Sequence, residues 1–199
     1  MTELCELALR WGSDKAIFYT PYYHEILNSR RQEVKRVLEF GIGYPETMMS
    51  TLARIGVKDY TTGASLFMWR EYFSNAEIFA LDNNRDIFIN ESRIHSFYCD
   101  QAIESTFAEA IANVGSDFDL IVEDGSHIRE HQLRTARLLM PLLKPDGIYI
   151  MEDVGPPFKE LQNEISYLSE LKQFSRDDLS LGEEKSKSST AAVVRIYSA

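Results

Sequence analysis

Residues 117–127 read DFDLIVEDGSH, and residues 146–154 read DGIYIMEDV. Each is a short apolar run that ends in two acids. A buried strand that delivers carboxylates at its end is costly unless they meet a cation or a ligand there. Phe118 to Glu123 and Ile148 to Met151 are therefore expected as two central strands of one sheet, with a site at their carboxyl ends.

Working outward, apolar runs at Val34 to Phe40, Ala76 to Leu81 and Arg93 to Cys99 are expected as three more strands. Between the runs the apolar spacing changes to a helical period: Leu4, Leu7, Ala8 and Trp11 behind an N-cap at Thr2; a short helix around 20–30; SLFMWREYF at 65–73. Ile103, Phe107, Ile111 and Val114 predict a helix over 103–114. Leu133, Ala136, Met140 and Leu143 predict one over 127–143, with Arg129, Arg134 and Arg137 outward. Lys144-Pro-Asp-Gly147 reads as a turn. A helix at 157–170, a weak strand near 171–175, a polar loop at 177–190 and a last strand over Ala192 to Tyr197 complete the chain. Strands alternating with helices mean an α/β sheet covered on both faces, here in one domain over 1–199. The polar link before the last strand predicts an antiparallel final hairpin.

The chain has 199 residues and a formal net charge of −10, which argues against nucleic acid or an anionic membrane as the main partner. Cys5 and Cys99 lack metal or redox spacing. No stretch reads as a signal peptide or a bilayer span, so a cytoplasmic protein is expected.

Glu39-Phe-Gly41-Ile-Gly43 follows the first strand, where glycines let backbone approach a ligand. The third glycine of a dinucleotide fingerprint is missing, because 44–46 are Tyr-Pro-Glu, which disfavours NAD. Asp82, beside Asn83, ends the second strand and is placed for the two hydroxyls of a ribose; a solvated strand-end acid is the alternative. Asp100 and Gln101 end the third, near where an adenine edge would lie. Asp124, Glu152 and Asp153 end two neighbouring strands. Carboxylates that close raise one another's pKa unless a cation neutralises them, and all-oxygen ligands favour Mg²⁺ first, Mn²⁺ or Ca²⁺ after it. Strand-end acids also cap helices or hold cofactors, and that alternative stays open. His127 is expected in the first turn of a helix capped by Ser126, where the helix N-terminus favours the neutral ring, as a general base needs. Glu123 alternates to the other face and is left out of the site. His127-Ile-Arg-Glu130-His131 also matches a zinc-protease pattern, but it opens from a strand rather than lying within a helical scaffold.

Glu39-x-Gly41-x-Gly43, the strand-two acid and Asp100-Gln101 resemble the class I S-adenosylmethionine-dependent methyltransferases. More narrowly, GSDK, ASLFMWREYFSNAEIFALD, YCDQ, FDLIVEDGSH and LLKPDGIYIMEDV, together covering about residues 10–155, are similar to the metal-dependent sugar O-methyltransferases of the macrocin and mycinamicin type. Against that pattern the chain is expected to be without the large N-terminal extension of some of those relatives and to have a longer connection at 44–62. Both bear on the choice of acceptor. The resemblance implies a Rossmann-like sheet of seven strands, mostly parallel with the last antiparallel. It implies S-adenosylmethionine held by Glu39, Gly41, Gly43, Asp82, Asn83, Asp100, Gln101 and Asp124, and Mg²⁺ held by Asp124, Glu152 and Asp153. It also implies that Asp14 and Lys15 orient cofactor or substrate, for which a surface turn is the plainer reading. Helices in 1–32 would cover the site; Tyr19, Tyr22 and Tyr23 read equally as an acceptor patch or as packing. The acceptor would be a small hydroxylated molecule, such as a sugar of a glycosylated compound, and the protein a possible homo-oligomer. The alternative is a silent methyltransferase-like binding protein.

Overall fold

The apolar runs become strands because each must bury two faces at once. In chain order the elements are α1 (Glu3–Trp11), α2 (Thr20–Leu27), β1 (Arg36–Phe40), α3 (Ala64–Tyr72), β2 (Glu77–Asp82), β3 (Ile94–Tyr98), α4 (Thr106–Val114), β4 (Phe118–Glu123), α5 (Arg129–Leu139), β5 (Leu143–Met151), β6 (Glu170–Phe174) and β7 (Ser189–Arg195). This computed structural model describes residues 1–16, 19–45, 48 and 60–154, and for 170–174 and 189–195 the backbone. The expected helix at 157–170 lies outside the described residues except for residue 170. Most of the 44–62 connection and of the 177–190 loop lies outside them as well.

The seven strands form one sheet in the order β3-β2-β1-β4-β5-β7-β6. β1 to β5 pair in parallel, and β7 runs antiparallel between β5 and β6. The strand order reverses between β1 and β4, which makes a crevice at their carboxyl ends. Along β4, Leu120 and Val122 pack with α1, α2 and α3, whereas Phe118 and Ile121 pack with α4 and α5. Leu120, Ile121 and Val122 alternate as the pleat of a strand buried on both sides, and Phe118 departs from that alternation across the register shift between Phe118 and Leu120. Thr2 caps α1 by accepting the Cys5 N–H, and Gly12 closes it in the left-handed region (φ 75°).

Three boundaries differ from expectation. α4 starts at Thr106, and Ile103 is exposed. The Asp100 carboxylate accepts the Ala102 N–H and Thr106 Oγ1 donates to the Ile103 carbonyl, so local side-chain bonds hold this stretch as turns. α5 starts at Arg129 rather than 127, and it buries Gln132 and Thr135 alongside Ala136 and Leu139. The predicted turn at Lys144 to Gly147 lies within β5 as a wide bulge. Leu143 faces Phe118 and the next pair is Ile148 with Leu120, so the extra β5 residues stand against Asp119. Among the described residues no helix is long and apolar enough to cross a membrane.

Candidate active site

A cavity of about 620 Å³ opens at the carboxyl ends of β1 to β4. Its floor is the turn after β1. Gly41 (φ 96°) lies so close to the end of β4 that a Cβ would run into the Asp124 carbonyl; at Gly43 (φ 88°) it would meet the Tyr60 hydroxyl. Only glycine suits both positions. Asp82, almost fully buried, accepts the Ile42 N–H (2.9 Å) and the Asn84 N–H (2.8 Å), which ties the β1 turn to the end of β2. Each of its oxygens keeps a second lone pair for a ligand. Asn83 on the same wall accepts from the Tyr44 hydroxyl, 3.1 Å away, and Asp100 follows after β3.

Gln101 also lines the cavity, but its side chain is committed elsewhere. Its Nε2 donates to Glu123 (2.6 Å) and to Thr135 (2.9 Å), and its Oε1 accepts the Ser126 N–H (2.7 Å). Gln101 therefore fixes the Gly125-Ser126 backbone, and an adenine edge would meet its main chain rather than its amide. Glu123, on the α5 face of the sheet, is the partner that orients it. Burial raises the Glu123 carboxyl to about 7.

The acids at the ends of β4 and β5 do not all converge. One oxygen of Asp124, one of Asp153 and a ring nitrogen of His127 lie within 4.8 Å of one another, close enough to share one ion. Glu152 stands apart from that trio. It is fully buried on the last rung of the ladder, its N–H donated to the Glu123 carbonyl, and its side chain takes the Tyr23 hydroxyl (2.7 Å) and the Lys15 ammonium (2.8 Å). Asp153 turns away from it in the left-handed region (φ 49°), and the Tyr19 hydroxyl donates to its Oδ1 at 2.6 Å. The expected ligand set thus divides: Asp124 and Asp153 lie on either side of His127 with oxygens within 4.8 Å, and Glu152 is linked to Asp124 through Lys15.

Lys15 is no surface turn. It is buried, ion-paired to Asp124 and Glu152, with Glu39 Oε1 3.2 Å away. Burial alone would lower its pKa, but Asp124, Glu152 and Glu39 raise it well above the ordinary value, so the ammonium persists. Against the cost of burial, Lys15 and His127 together hold the Asp124 carboxyl far below its usual range. Burial pushes Glu152 up, with Lys15 opposing. Burial and the charges of Asp124 and Asp153 raise Asp14 to about 6 against the pull of Lys15. Glu39 sits behind Lys15, off the cavity wall, accepting from Trp69 Nε1 at 2.9 Å. It is not among the residues that line the cavity, so its expected cofactor-binding role would act through Lys15.

His127 lies before α5, not in its first turn, and is itself left-handed (φ 57°). Non-glycine residues held there carry strain that the surroundings must fix, and His127 and Asp153 are both such residues. The Nε2 of His127 is 2.9 Å from Asp124 Oδ1. Burial disfavours the imidazolium, but the hydrogen bond and charge of Asp124, with Asp153 and Glu123, raise the ring to about 9. The neutral ring expected from a helix terminus is replaced by one paired to carboxylates. The zinc-protease pattern is not assembled: His131 Nδ1 bonds Ser126 Oγ at 2.9 Å, and Glu130 pairs with Arg134.

The sequence pattern of a family described as a methyltransferase domain matches residues 55–154. The chain belongs to that family. This methyltransferase domain is 32% identical over 158 residues to the mycinamicin VI 2''-O-methyltransferase of Micromonospora griseorubida, across 76% of this chain and 36% of the relative. It is 34% identical over 151 residues to the demethylmacrocin O-methyltransferase of Streptomyces fradiae, across 74% of this chain and 34% of the relative. The chain thus spans about a third of the length of the curated relatives it matches. Among solved structures it resembles the MycE methyltransferase of the mycinamycin pathway in complex with Mg, SAH and mycinamycin VI. That match has a TM-score of 0.64 and 29% identity over 76% of this chain and 37% of that one. A ribosomal RNA methyltransferase from Plasmodium falciparum, at 13% identity and a TM-score of 0.55, shares the fold across 88% of this chain and 96% of its own.

Three contributors to the site were not read from the sequence: the counter-ion role of Lys15, the hydroxyls of Tyr19 and Tyr23, and the amide of Gln132, which donates to the Glu152 carbonyl at 2.9 Å. Spacing does not show them: Lys15 lies 137 residues from Glu152, Tyr19 134 from Asp153 and Tyr23 129 from Glu152, and Gln132 reaches back from α5 to an acid 20 residues on.

Proposed function

We propose that this methyltransferase domain transfers the methyl group of S-adenosylmethionine to a hydroxyl of a small acceptor, a sugar of a glycosylated compound, using a divalent ion, Mg²⁺ first. The observation that carries the reading is one crevice with two unlike ends. The glycine turn with Asp82 and Asn83 suits a nucleoside, and Asp124 and His127 line the other end with Asp153 beside them. The relatives named for O-methylation, and the one solved with Mg and SAH, support it.

The donor set fits a hard ion: two carboxylates with no thiolate, and the His127 ring beside them left free to accept a proton. Asp124 and Asp153 would hold it, and Glu152 would stand behind them. When bound, the cofactor supplies an electrophilic methyl on sulfur, and the ion favours the charge that develops on the acceptor oxygen. His127 takes the hydroxyl proton. Taking up the charge of Asp124 and Asp153 removes the groups that hold a proton on this ring and returns it toward its ordinary value of 6.5. Lys15 and Asp14, from the segment between α1 and α2, close one side of the cavity, so helices in 1–32 serve as part of its cover within a single domain over 1–199.

The test is methyl transfer from S-adenosylmethionine to a panel of glycosides and catechols. Chelator should abolish transfer and Mg²⁺ should restore it. Full transfer by metal-free protein would remove the ion from the reading, and calorimetric binding of NAD in place of S-adenosylmethionine would remove the cofactor.

A further inference from the structure

Lys15 is the only buried lysine among the described residues, and the transfer reaction gives its charge no task. Its ammonium touches Asp124, lies 2.8 Å from Glu152 Oε2 and lies 3.2 Å from Glu39 Oε1. A buried charge persists only when paired, and three carboxylates match the three N–H donors of one ammonium while outnumbering its charge. Two of those partners belong to the acid cluster at the ends of β4 and β5. The third does not: Glu39 lies at the end of β1, its Oε2 accepting from Trp69 Nε1 and its Oε1 facing the ammonium from 3.2 Å. An ion held by Asp124 would compete with the ammonium for the same carboxylate and would repel it. Glu39 Oε1, the most distant of the three carboxylate oxygens around the ammonium, is where the displaced ammonium can go.

We propose that Lys15 is the resident counter-ion of the acidic centre: it pairs with Asp124 and Glu152 in the metal-free protein, and it shifts toward Glu39 when a divalent ion binds. The exchange moves an ammonium between carboxylates, with no proton transferred and no bond made or broken. The affinity for the ion is then set by how firmly Glu39 draws Lys15 away. This rests on the divalent-ion reading above and extends it to residues off the cavity wall.

Calorimetric titration of Mg²⁺ into the metal-free full chain tests it. Lys15→Met should bind Mg²⁺ about tenfold more tightly than the unmodified protein, because a competing charge is gone. Glu39→Gln should bind about threefold more weakly, and the same change made in Lys15→Met should have almost no effect, because Glu39 acts through the lysine. General damage to the site would instead weaken binding in every variant. Lys15→Met at equal or lower affinity overturns the proposal, as does an equal Glu39→Gln effect in both backgrounds. If Lys15→Met does not fold, Lys15→Met/Glu39→Gln has one buried carboxylate fewer to compensate and is compared with Glu39→Gln alone, again expecting tighter binding. In the unmodified protein, the ¹⁵N signal of the protected lysine ammonium should shift on saturation with Mg²⁺; an unmoved signal overturns the exchange. Absence of Mg²⁺ binding in every form overturns the divalent-ion reading together with this one. Binding in all forms with the unmodified protein tightest overturns this one alone.

Discussion

The amino end of β4 and the turn that follows its carboxyl end each carry an aspartate with a lysine against it, yet the two sites are built for opposite purposes. Asp119 is buried, and its Oδ2 accepts the backbone N–H groups of Lys35 (2.7 Å) and Arg36 (3.0 Å). Its Oδ1 takes Lys144 Nζ at 2.7 Å across the β5 bulge. Rigid main-chain donors hold one oxygen of this carboxylate and fasten β1 to β4. The Asp124 carboxylate is bound by side chains alone among its described partners, Lys15 and His127, and it borders the cavity. Side chains can exchange partners, and backbone donors cannot. The first arrangement makes an anchor and the second a site.

The largest expected contrast comes from removing each charge in turn. Asp124→Asn should lower kcat/KM by about 10³-fold or more, since it removes a ligand for the ion and a partner of His127, while the fold persists. Near-normal turnover in this variant would make Asp124 an anchor like Asp119. His127→Ala should follow, with turnover down about 10²- to 10⁴-fold and S-adenosylmethionine affinity, read by calorimetry, unchanged. Equal losses in turnover and cofactor binding would instead mean that His127 shapes the cavity rather than accepting the proton.

The same contrast explains what could be read from the chain. The strands were legible because burial on two faces demands apolar runs, and Asp82, Asp100 and Asp124 stood out as acids where those runs stop. Alternation also sent Glu123 to the far face, where Gln101 and Thr135 meet it. The pattern fails one residue later. Asp153 has left the pleat with positive φ while Glu152 remains on it, so two adjacent acids in the sequence serve different neighbourhoods. His127 was misplaced for the same reason: α5 begins only after a left-handed residue that no helical period announces. The roles of Lys15, Tyr19 and Tyr23 depend on how α2 docks beside β5, and tertiary packing of that kind leaves no local signature.

Asp119→Ala probes the anchor. It strands two backbone N–H groups and the Lys144 ammonium, a loss of about 2–3 kcal/mol of folding stability by the scale of unmade buried bonds. Urea unfolding should show a lower midpoint, and cofactor affinity per folded molecule should hold steady. A selective loss of cofactor binding with unchanged stability would break the distinction between the two ends of β4.

The smallest effect sharpens the comparison most, because it tests whether the acid cluster has anchors of its own. The Tyr19 hydroxyl both donates to Asp153 Oδ1 (2.6 Å) and accepts the Asp153 N–H (3.2 Å), so it holds a left-handed residue at backbone and side chain together. Tyr19→Phe keeps the ring and removes both bonds. One net hydrogen bond is worth about 1 kcal/mol, so Mg²⁺ affinity should fall roughly fivefold. Tyr23→Phe removes the bond to Glu152, which stands outside the trio of Asp124, His127 and Asp153, and should weaken the ion less. A larger loss from Tyr23→Phe would show that Glu152 swings in to meet the ion. Equal, negligible changes in both would mean that Asp153 keeps its left-handed turn without help, and that the strain there is held by the β5 backbone alone.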